Sequence, residues 1–336
     1  MLISLCVVAY NEQEFLPDLL KDIKNQDYPR EKTEIIFIDN GSTDNTKAIM
    51  QKFLSENNFF NSMLISIDRS NLAVGCNTAI KNMTGDVYVR VDAHAGISPD
   101  FLSKTAECIL SGENVCGGYR PCVTHDDTPM QKTLLLAESS MFGSSFAAYR
   151  REHKEKTYMP SLFHMAVKKE VFDNCGLYDE RLGRTEDNEF AYRLRSHGYK
   201  LCYYPQIRSK QKVRSSIKKI AAQKYKNGYW IGLTLGVCPK CFSIFHFVPL
   251  AFVMAIVFSV LLALFFSPIP LLLLAAAYLT FDLAITVSAF VSSEKIYPAY
   301  FLLPFIFLML HLAYGAGTLI GVIYMPVWRS RHKSNN

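Results

Sequence analysis

"VYVRVDAHAGISPDFL", residues 87–102, joins a strand-like run, a polar turn and a helix start. Its first half is an apolar, β-rich run that reads as a strand over 86–92. The run ends in Asp92-Ala93-His94, two metal-capable side chains one residue apart. A helix start follows, with Ser98 as N-cap and Pro99 at the first helical position. Upstream, "ISLCVVAY" (3–10), "TEIIFIDN" (33–40) and "SMLISID" (62–68) read as three more strands. Amphipathic segments such as "EFLPDLLKDIKNQ" and "TKAIMQKFLSENN" separate them. Strand, helix and strand in repetition predict an α/β domain with a parallel sheet covered on both faces. Ligands of such sheets collect at the carboxyl ends of the strands. Three polar clusters fall there: Asn11-Glu12, Asp39-Asn40-Gly41-Ser42 and Asp92-Ala93-His94.

The apolar residues, half of the 336, are spread unevenly. Residues 243–266, 269–291 and 299–325 are nearly uncharged, and each reaches or exceeds the roughly 20 residues that a helix needs to cross a bilayer. The third carries Pro304, His311 and several glycines, which marks it as the segment expected to be re-entrant or interfacial. Before them, residues 208–233 are basic with interleaved apolar positions, the pattern of a helix lying on an anionic membrane surface. The expected division is a catalytic domain over 1–210, a basic interfacial segment over 211–240, a membrane region of two to three helices over 241–326 and a basic tail over 327–336. By the positive-inside tendency the basic segment and the tail both belong in the cytoplasm, which conflicts with three full crossings. The start lacks a basic leader and meets Glu12 and Glu14 early, so the catalytic domain is expected to be cytoplasmic, on a multi-pass cell-membrane protein. The net charge of +6 does not point to nucleic acid, because Lys and Arg cluster beside the apolar segments, where membrane lipids are the nearer partner. Cys238 and Cys241 have metal or redox spacing, yet no second pair accompanies them.

Two ligands at i and i+2 of a strand end project to one side, so Asp92 and His94 are candidates to share a cation, Mn²⁺ or, less comfortably, Mg²⁺. Two protein ligands are too few for a structural metal, and a diphosphate would complete the shell. Both are equally readable as turn residues. Asp39 and Asp44 serve as readily as turn formers around Gly41, with Thr43 or Asp44 capping the next helix. Residues 186–198 predict a helix with Thr185 as N-cap and Gly198 as stop. Glu186 and Asp187 in its first turn suit either the helix dipole or general-base work.

In order and spacing, "VVAYNEQEFLPDLLKDIKNQDYP", "EIIFIDNGSTDNT", "NLAVGCNTAIKNMTGDVYVRVDAHAGISPDFL" and "GLYDERLGRTEDNEFAYRLRSHGYKL" resemble the family-2 glycosyltransferases of the GT-A fold, in particular the membrane-anchored branch that assembles exopolysaccharides of the succinoglycan type. Weaker echoes continue at 139–150, 223–230 and 311–321. The resemblance implies a Rossmann-like, mostly parallel sheet with flanking helices and a C-terminal helical membrane region. It implies a nucleotide pocket lined by Ala9, Asn11 and Glu12, with Asp39 on uracil. Asp92 and His94 stand where the family holds its divalent ion, Asp187 matches the catalytic base, and Glu186 and Glu189 lie near the acceptor. The implied reaction is an inverting transfer from a nucleotide sugar, UDP-linked by family, to a polyprenyl-linked saccharide in bacterial polysaccharide synthesis. Transfer to polyprenyl phosphate itself is the alternative within the class, and a nucleotide-sensing membrane transporter is the alternative outside it. Two departures stand out. Asn40 replaces a common acidic residue, and "QKVRS" (211–215) lacks the tryptophan of the processive synthases' Q-x-x-R-W, which favours addition of one sugar over polymerisation.

Overall fold

The computed structural model describes residues 1–143 and 147–332. Part of the 139–150 echo and the last four residues of the 327–336 tail lie outside the described residues. In chain order the elements are β1 (Ile3–Ala9), α1 (Leu16–Lys24), β2 (Thr33–Asp39), α2 (Thr46–Glu56), β3 (Asn61–Ser66), α3 (Leu72–Asn82), β4 (Val87–Arg90), β5 (Ala95–Ile97), α4 (Phe101–Leu110), β6 (Val115–Tyr119), β7 (Cys122–Val123) and α5 (Pro129–Ser139). They continue with β8 (Thr157–Tyr158), β9 (Ala166–Lys168), α6 (Lys169–Cys175), α7 (Glu186–Ser196), β10 (Leu201–Lys212), α8 (Ile217–Thr234), α9 (Val248–Phe265), α10 (Ile269–Val291) and α11 (Leu303–Arg331).

The chain forms two compact units, one of residues 1–121 and 147–212, the other of residues 122–143 and 213–332. The division is discontinuous, unlike the single cut expected near residue 210. The reason is α5, whose Leu134 and Ala137 are buried among Ile220, Leu303, Ile306, Phe307 and Leu310 of the second unit.

In the first unit the sheet runs β3-β2-β1-β4-β9-β6-β10-β5. It is parallel from β3 through β4, with Ala9 beside Asp39 and Cys6 beside Arg90. At β9 it turns antiparallel to both neighbours, β6 and β10 pair in parallel again, and β5 is antiparallel to β10, so the sheet is mixed. Every residue of β2 is buried, as a central strand covered on both faces requires. One apolar layer includes Leu16, Leu19 and Ile23 of α1 with Phe101 and Leu102 of α4. The opposite layer includes Ala73, Cys76 and Ile80 of α3 with Phe190 and Leu194 of α7. The i, i+3, i+4, i+7 burial of Leu16, Leu19, Leu20 and Ile23 is what makes that segment a helix.

The buried charges of this unit include one on the central strand β2. Glu34 of β2 accepts from Thr84 N at 2.9 Å, Thr84 Oγ1 at 2.8 Å, Asn61 Nδ2 at 3.0 Å and the Ser4 hydroxyl. Burial pushes its carboxyl up, but these donors outweigh burial and hold it below the ordinary glutamate range. A depressed folded-state value means the stabilisation is complete above the unfolded value and is lost as pH falls through the folded one. Thermal melts of the wild type are therefore expected to fall in temperature on acidification below about pH 4, and Glu34→Gln should flatten that part of the curve while lowering stability by about 1 to 3 kcal/mol at neutral pH.

Three details of the first unit differ from expectation. β4 ends at Arg90, and Asp92 O accepts from Ala95 N at 2.9 Å, so Asp92 and His94 sit on a closed turn rather than on an extended strand. Ser98 does not cap α4, which starts at Phe101 after Asp100. The strand β5 intervenes, and Ser98 N is bound to Arg208 O of β10. Residues 208–212 are not helical either, because they complete β10, where Ser209 and Lys210 pair with Ile97 and Gly96.

In the second unit α8 starts after Ser216, whose hydroxyl accepts from Lys219 N. Three apolar helical segments, Ile244–Phe265, Ile269–Val291 and Pro298–Arg331, are long enough to cross a membrane. The third is not broken by its glycines: α11 is continuous over 29 residues, with Pro304 in its first turn. The glycines serve close packing instead. A Cβ on Gly321 would overlap the Tyr229 carbonyl of α8, and one on Gly228 would overlap the Tyr314 carbonyl of α11. Both helices carry the Gly-x-x-x-Gly spacing, 228 with 232 and 317 with 321, that lets helix backbones approach closely. Two weak echoes in the sequence, 223–230 and 311–321, are thus the two sides of one helix crossing. The helix read as lying on a membrane surface has one face committed to α11. Lys218, Lys219 and Lys226 stay exposed, whereas Lys224 is buried 3.1 Å from Glu138.

Candidate active site

The carboxyl ends of β1, β2 and β4 lie side by side and carry the candidate residues to one edge of the sheet. At β1, Asn11 takes a left-handed conformation at φ 54°, which Asn tolerates better than most residues. Its Oδ1 accepts from Thr43 N at 2.8 Å and its N–H donates to Ser42 Oγ at 3.1 Å. Glu12 N donates to Thr46 Oγ1 at 2.7 Å. Asp39 is buried, with Oδ1 accepting from Ser42 N at 3.2 Å, and Ala9 O accepts from Asn40 N. The 39–46 loop and the Asn11-Glu12 turn therefore form one hydrogen-bonded rim. Asp44 does not cap α2, which follows Asn45, but its oxygens accept from Gln13 N and Thr46 N. Asn40, the departure from an acidic residue, is a strut: it accepts from Ser70 N at 2.9 Å and donates to Ser70 O at 3.0 Å.

At β4, Asp92 and His94 share the turn. Arg90 donates through Nε and Nη2 to Asp92 Oδ1 at 3.3 and 3.2 Å. The same guanidinium reaches Glu186 Oε1 at 3.4 Å through Nη1. Burial alone would raise the Asp92 carboxyl, yet Arg90, with smaller help from His164 and His94, holds it far below the usual range. His164, itself left-handed at φ 48°, accepts from Asp92 N at 3.3 Å through Nε2, so its proton is on Nδ1, which donates to Ser209 Oγ at 2.9 Å. Burial pushes the His164 pKa down to about 3, so this imidazole stays neutral. His94 Nδ1 lies 3.1 Å from Glu12 Oε1.

At the start of α7, Glu186 is buried and Asp187 half-buried, with Asp187 Oδ1 accepting from Asn188 N at 2.8 Å. Burial and the Asp187 charge push the Glu186 carboxyl up, and burial does the same for Asp187 against the pull of Arg90. Arg90 thus lowers one partner and fails to lower the other. Two of its N–H groups serve Asp92, and only one longer contact reaches Glu186, which also meets Asp187. Glu186 Oε2 is buried without a hydrogen-bond partner among the described residues. Glu189 points elsewhere: both oxygens bind Arg193 at 2.8 Å, and Arg193 ties Cys175 O and Leu177 O.

The structure brings Asp92, Glu186 and Asp187 into one electrostatic cluster and places His94 beside Glu12. It adds Arg90, His164 and Gln211, which motif reading passed over. Arg90 carried a signal, since a charge inside an apolar strand run must find a partner. Gln211 stood in "QKVRS", set aside for its missing tryptophan, and His164 carried none.

Whether the turn suits a divalent cation can be asked of the donors themselves. Arg90 takes Asp92 Oδ1, and among the described residues no hydrogen bond is made to Oδ2. Among them, too, no three His, Cys, Asp or Glu side chains are placed so that they could hold a metal ion together. One carboxylate oxygen and one imidazole nitrogen fit a cation shared with a diphosphate, and they do not fit a closed structural site.

The mixed sheet between helical layers, with its acidic strand ends facing an acidic helix start, is that of a GT-A glycosyltransferase. The chain belongs to glycosyl transferase family 2, whose profile matches residues 4–176. It is 25% identical over 326 residues to the dolichyl N-acetyl-alpha-D-glucosaminyl phosphate 3-beta-D-2,3-diacetamido-2,3-dideoxy-beta-D-glucuronosyltransferase of Methanococcus voltae, covering 96% of this chain and 97% of that one. It is 24% identical over 227 residues to the succinoglycan biosynthesis protein ExoA of Rhizobium meliloti (strain 1021), covering 61% of this chain and 64% of that one. The mannosyltransferase PcManGT from Pyrobaculum calidifontis, solved in complex with GDP-Man and Mn²⁺, shares the fold at a TM-score of 0.65 and 19% identity over 94% of this chain and 86% of that one.

Proposed function

We propose that this enzyme moves one sugar from a nucleotide sugar, with inversion, to a saccharide already carried on a polyprenyl lipid. The observation that carries the reading is the Arg90 bridge, which puts Asp92 of the β4 turn and the Glu186-Asp187 start of α7 around one guanidinium. In this reading the rim of Ala9, Asn11, Glu12 and Asp39 receives the nucleoside, with Asp39 accepting from a uracil imide N–H. Asp92 and His94 hold Mn²⁺ or Mg²⁺, and that ion when bound neutralises charge on the donor diphosphate. Asp187 takes the proton from the acceptor hydroxyl, whose oxygen attacks the anomeric carbon as the nucleoside diphosphate departs. A carboxylate held above its ordinary range suits a proton that becomes acidic only as the new bond forms. Glu186 lies beside it on the acceptor side.

The lipid-linked acceptor is supported by the Methanococcus voltae relative, named for a dolichyl-linked amino sugar phosphate and aligned over nearly the whole chain, apolar helices included. The similarity to ExoA supports the exopolysaccharide branch over the catalytic unit. We assign the catalytic unit to the cytoplasm, where the nucleotide-sugar donor would be supplied, and the exposed lysines of α8 to contact with anionic lipid.

The test is to incubate the purified full chain with radiolabelled nucleotide sugars, Mn²⁺ and a membrane lipid extract, and to follow label into lipid. Label on a saccharide-bearing lipid is expected, and label accepted by polyprenyl phosphate alone would replace the acceptor proposed here. Asp92→Ala is expected to abolish the Mn²⁺-dependent part of donor binding in calorimetry. Donor affinity unchanged by this substitution and by chelator would remove the cation from the reading.

A further inference from the structure

We propose that Glu12 is a positioning residue for the cation, and that a hydrogen-bonded chain of Arg120, Gln211, His94 and Glu12 presets the His94 imidazole to present its Nε2 lone pair. The proposal rests on the reading of Asp92 and His94 as cation ligands. Each link follows from what a group is able to donate. Arg120 is buried, and its guanidinium lies over the Phe163 ring at 3.9 Å. It has donors only, and Nη1 donates to Gln211 Oε1. That bond settles which way round the Gln211 amide lies, and so directs its NH₂ group to His94 Nε2, 3.5 Å away. An amide NH₂ offers only hydrogens, so His94 Nε2 must be the bare nitrogen. On the other side of the ring, Glu12 Oε1 stands 3.1 Å from Nδ1, and an ionised carboxylate only accepts, so the ring proton is on Nδ1. Both ends of the chain demand the same tautomer.

A carboxylate behind one imidazole nitrogen with a lone pair on the other is the arrangement by which second-sphere groups fix and strengthen a histidine ligand. The Gln211 amide, a long and weak bond to Nε2, holds the place that a cation takes. β10 supplies this contact as the strand paired with β5, where Gln211 lies opposite Ala95, and Ser209, two residues earlier, fixes His164 against Asp92 N. The end of that one strand therefore steadies both halves of the Asp92-Ala93-His94 turn.

The experiment has two arms on the full chain in detergent. In the first, ¹⁵N NMR of histidine-labelled, metal-free protein is expected to show His94 as the neutral Nδ1–H tautomer, assigned by loss of the signal in His94→Gln. An Nε2–H tautomer would overturn the proposal without any change at Glu12. In the second, Mn²⁺ binding in the presence of UDP is followed by the electron paramagnetic resonance of free Mn²⁺. Glu12→Ala is expected to weaken binding about 10- to 100-fold, and Glu12→Gln, whose amide oxygen still accepts from Nδ1, to restore most of it. Wild-type affinity in a folded Glu12→Ala protein would sink the proposal. If Asp92→Ala also left Mn²⁺ binding unchanged, the cation site itself would be at fault, and Glu12 would fall with it.

Discussion

Asp187→Asn is expected to lower kcat by about 10² to 10⁴ while UDP affinity stays at the wild-type level. The amide keeps the size of the side chain and the acceptor oxygen that binds Asn188 N, so α7 should start as before. What it loses is the ability to take a proton. Activity of the wild type should also fall on acidification through a value above that of an ordinary aspartate, because burial favours the neutral carboxyl and a general base works only when ionised. That acid limb should disappear in the small residual rate of the variant. Single-turnover assays against pH, with UDP titrated in parallel, check both points. Near-normal turnover would move the base elsewhere, and loss of UDP binding would mean that the substitution had disturbed the nucleotide rim instead.

Arg90→Met should be the most damaging change to stability in the catalytic unit, at about 3 to 5 kcal/mol, because it leaves Asp92 and Glu186 buried without their shared counter-charge. The side chains are well covered, with exposures of 12% for Arg90, 14% for Asp92 and 4% for Glu186, so water cannot replace the guanidinium. A second substitution separates charge from packing. In Arg90→Met with Glu186→Gln, one of the stranded carboxylates is gone, and the pair should be more stable than the sum of the single changes predicts. Arg90→Lys should fall between, since an ammonium keeps the charge and loses the fork that serves both acids at once. Thermal melts of the wild type, Arg90→Met, Glu186→Gln, the double variant and Arg90→Lys decide the matter, and strict additivity would show that the bridge carries no coupling.

The alternation of β-rich and amphipathic segments up to residue 110 was enough to read the parallel strands β1 to β4 and to place Asn11, Glu12, Asp39 and Asp92 at their ends. The period of side chains along a strand is local, and so is the stop that a polar cluster imposes. The antiparallel β9 escaped because three residues have no measurable period, and β10 escaped because its basic end resembled the helix that follows. Glu186 and Asp187 were legible from Thr185 and the helix pattern. Glu189 came in through the family resemblance, and the structure adds that Arg193, one turn along the same helix, holds it in an ion pair.

By itself, then, the sequence determined the strand-helix order, the three apolar helices and the acidic residues at the element ends, all consequences of periodicity, length and composition within a few tens of residues. Tertiary structure alone decided which groups face one another: Arg90 between Asp92 and Glu186, Gln211 against His94 across 117 positions of chain, and Gly228 of α8 against α11. Hydrogen bonds and close helix contacts act over a few ångströms in space whatever the separation along the chain, so no spacing in the sequence could have announced those pairings.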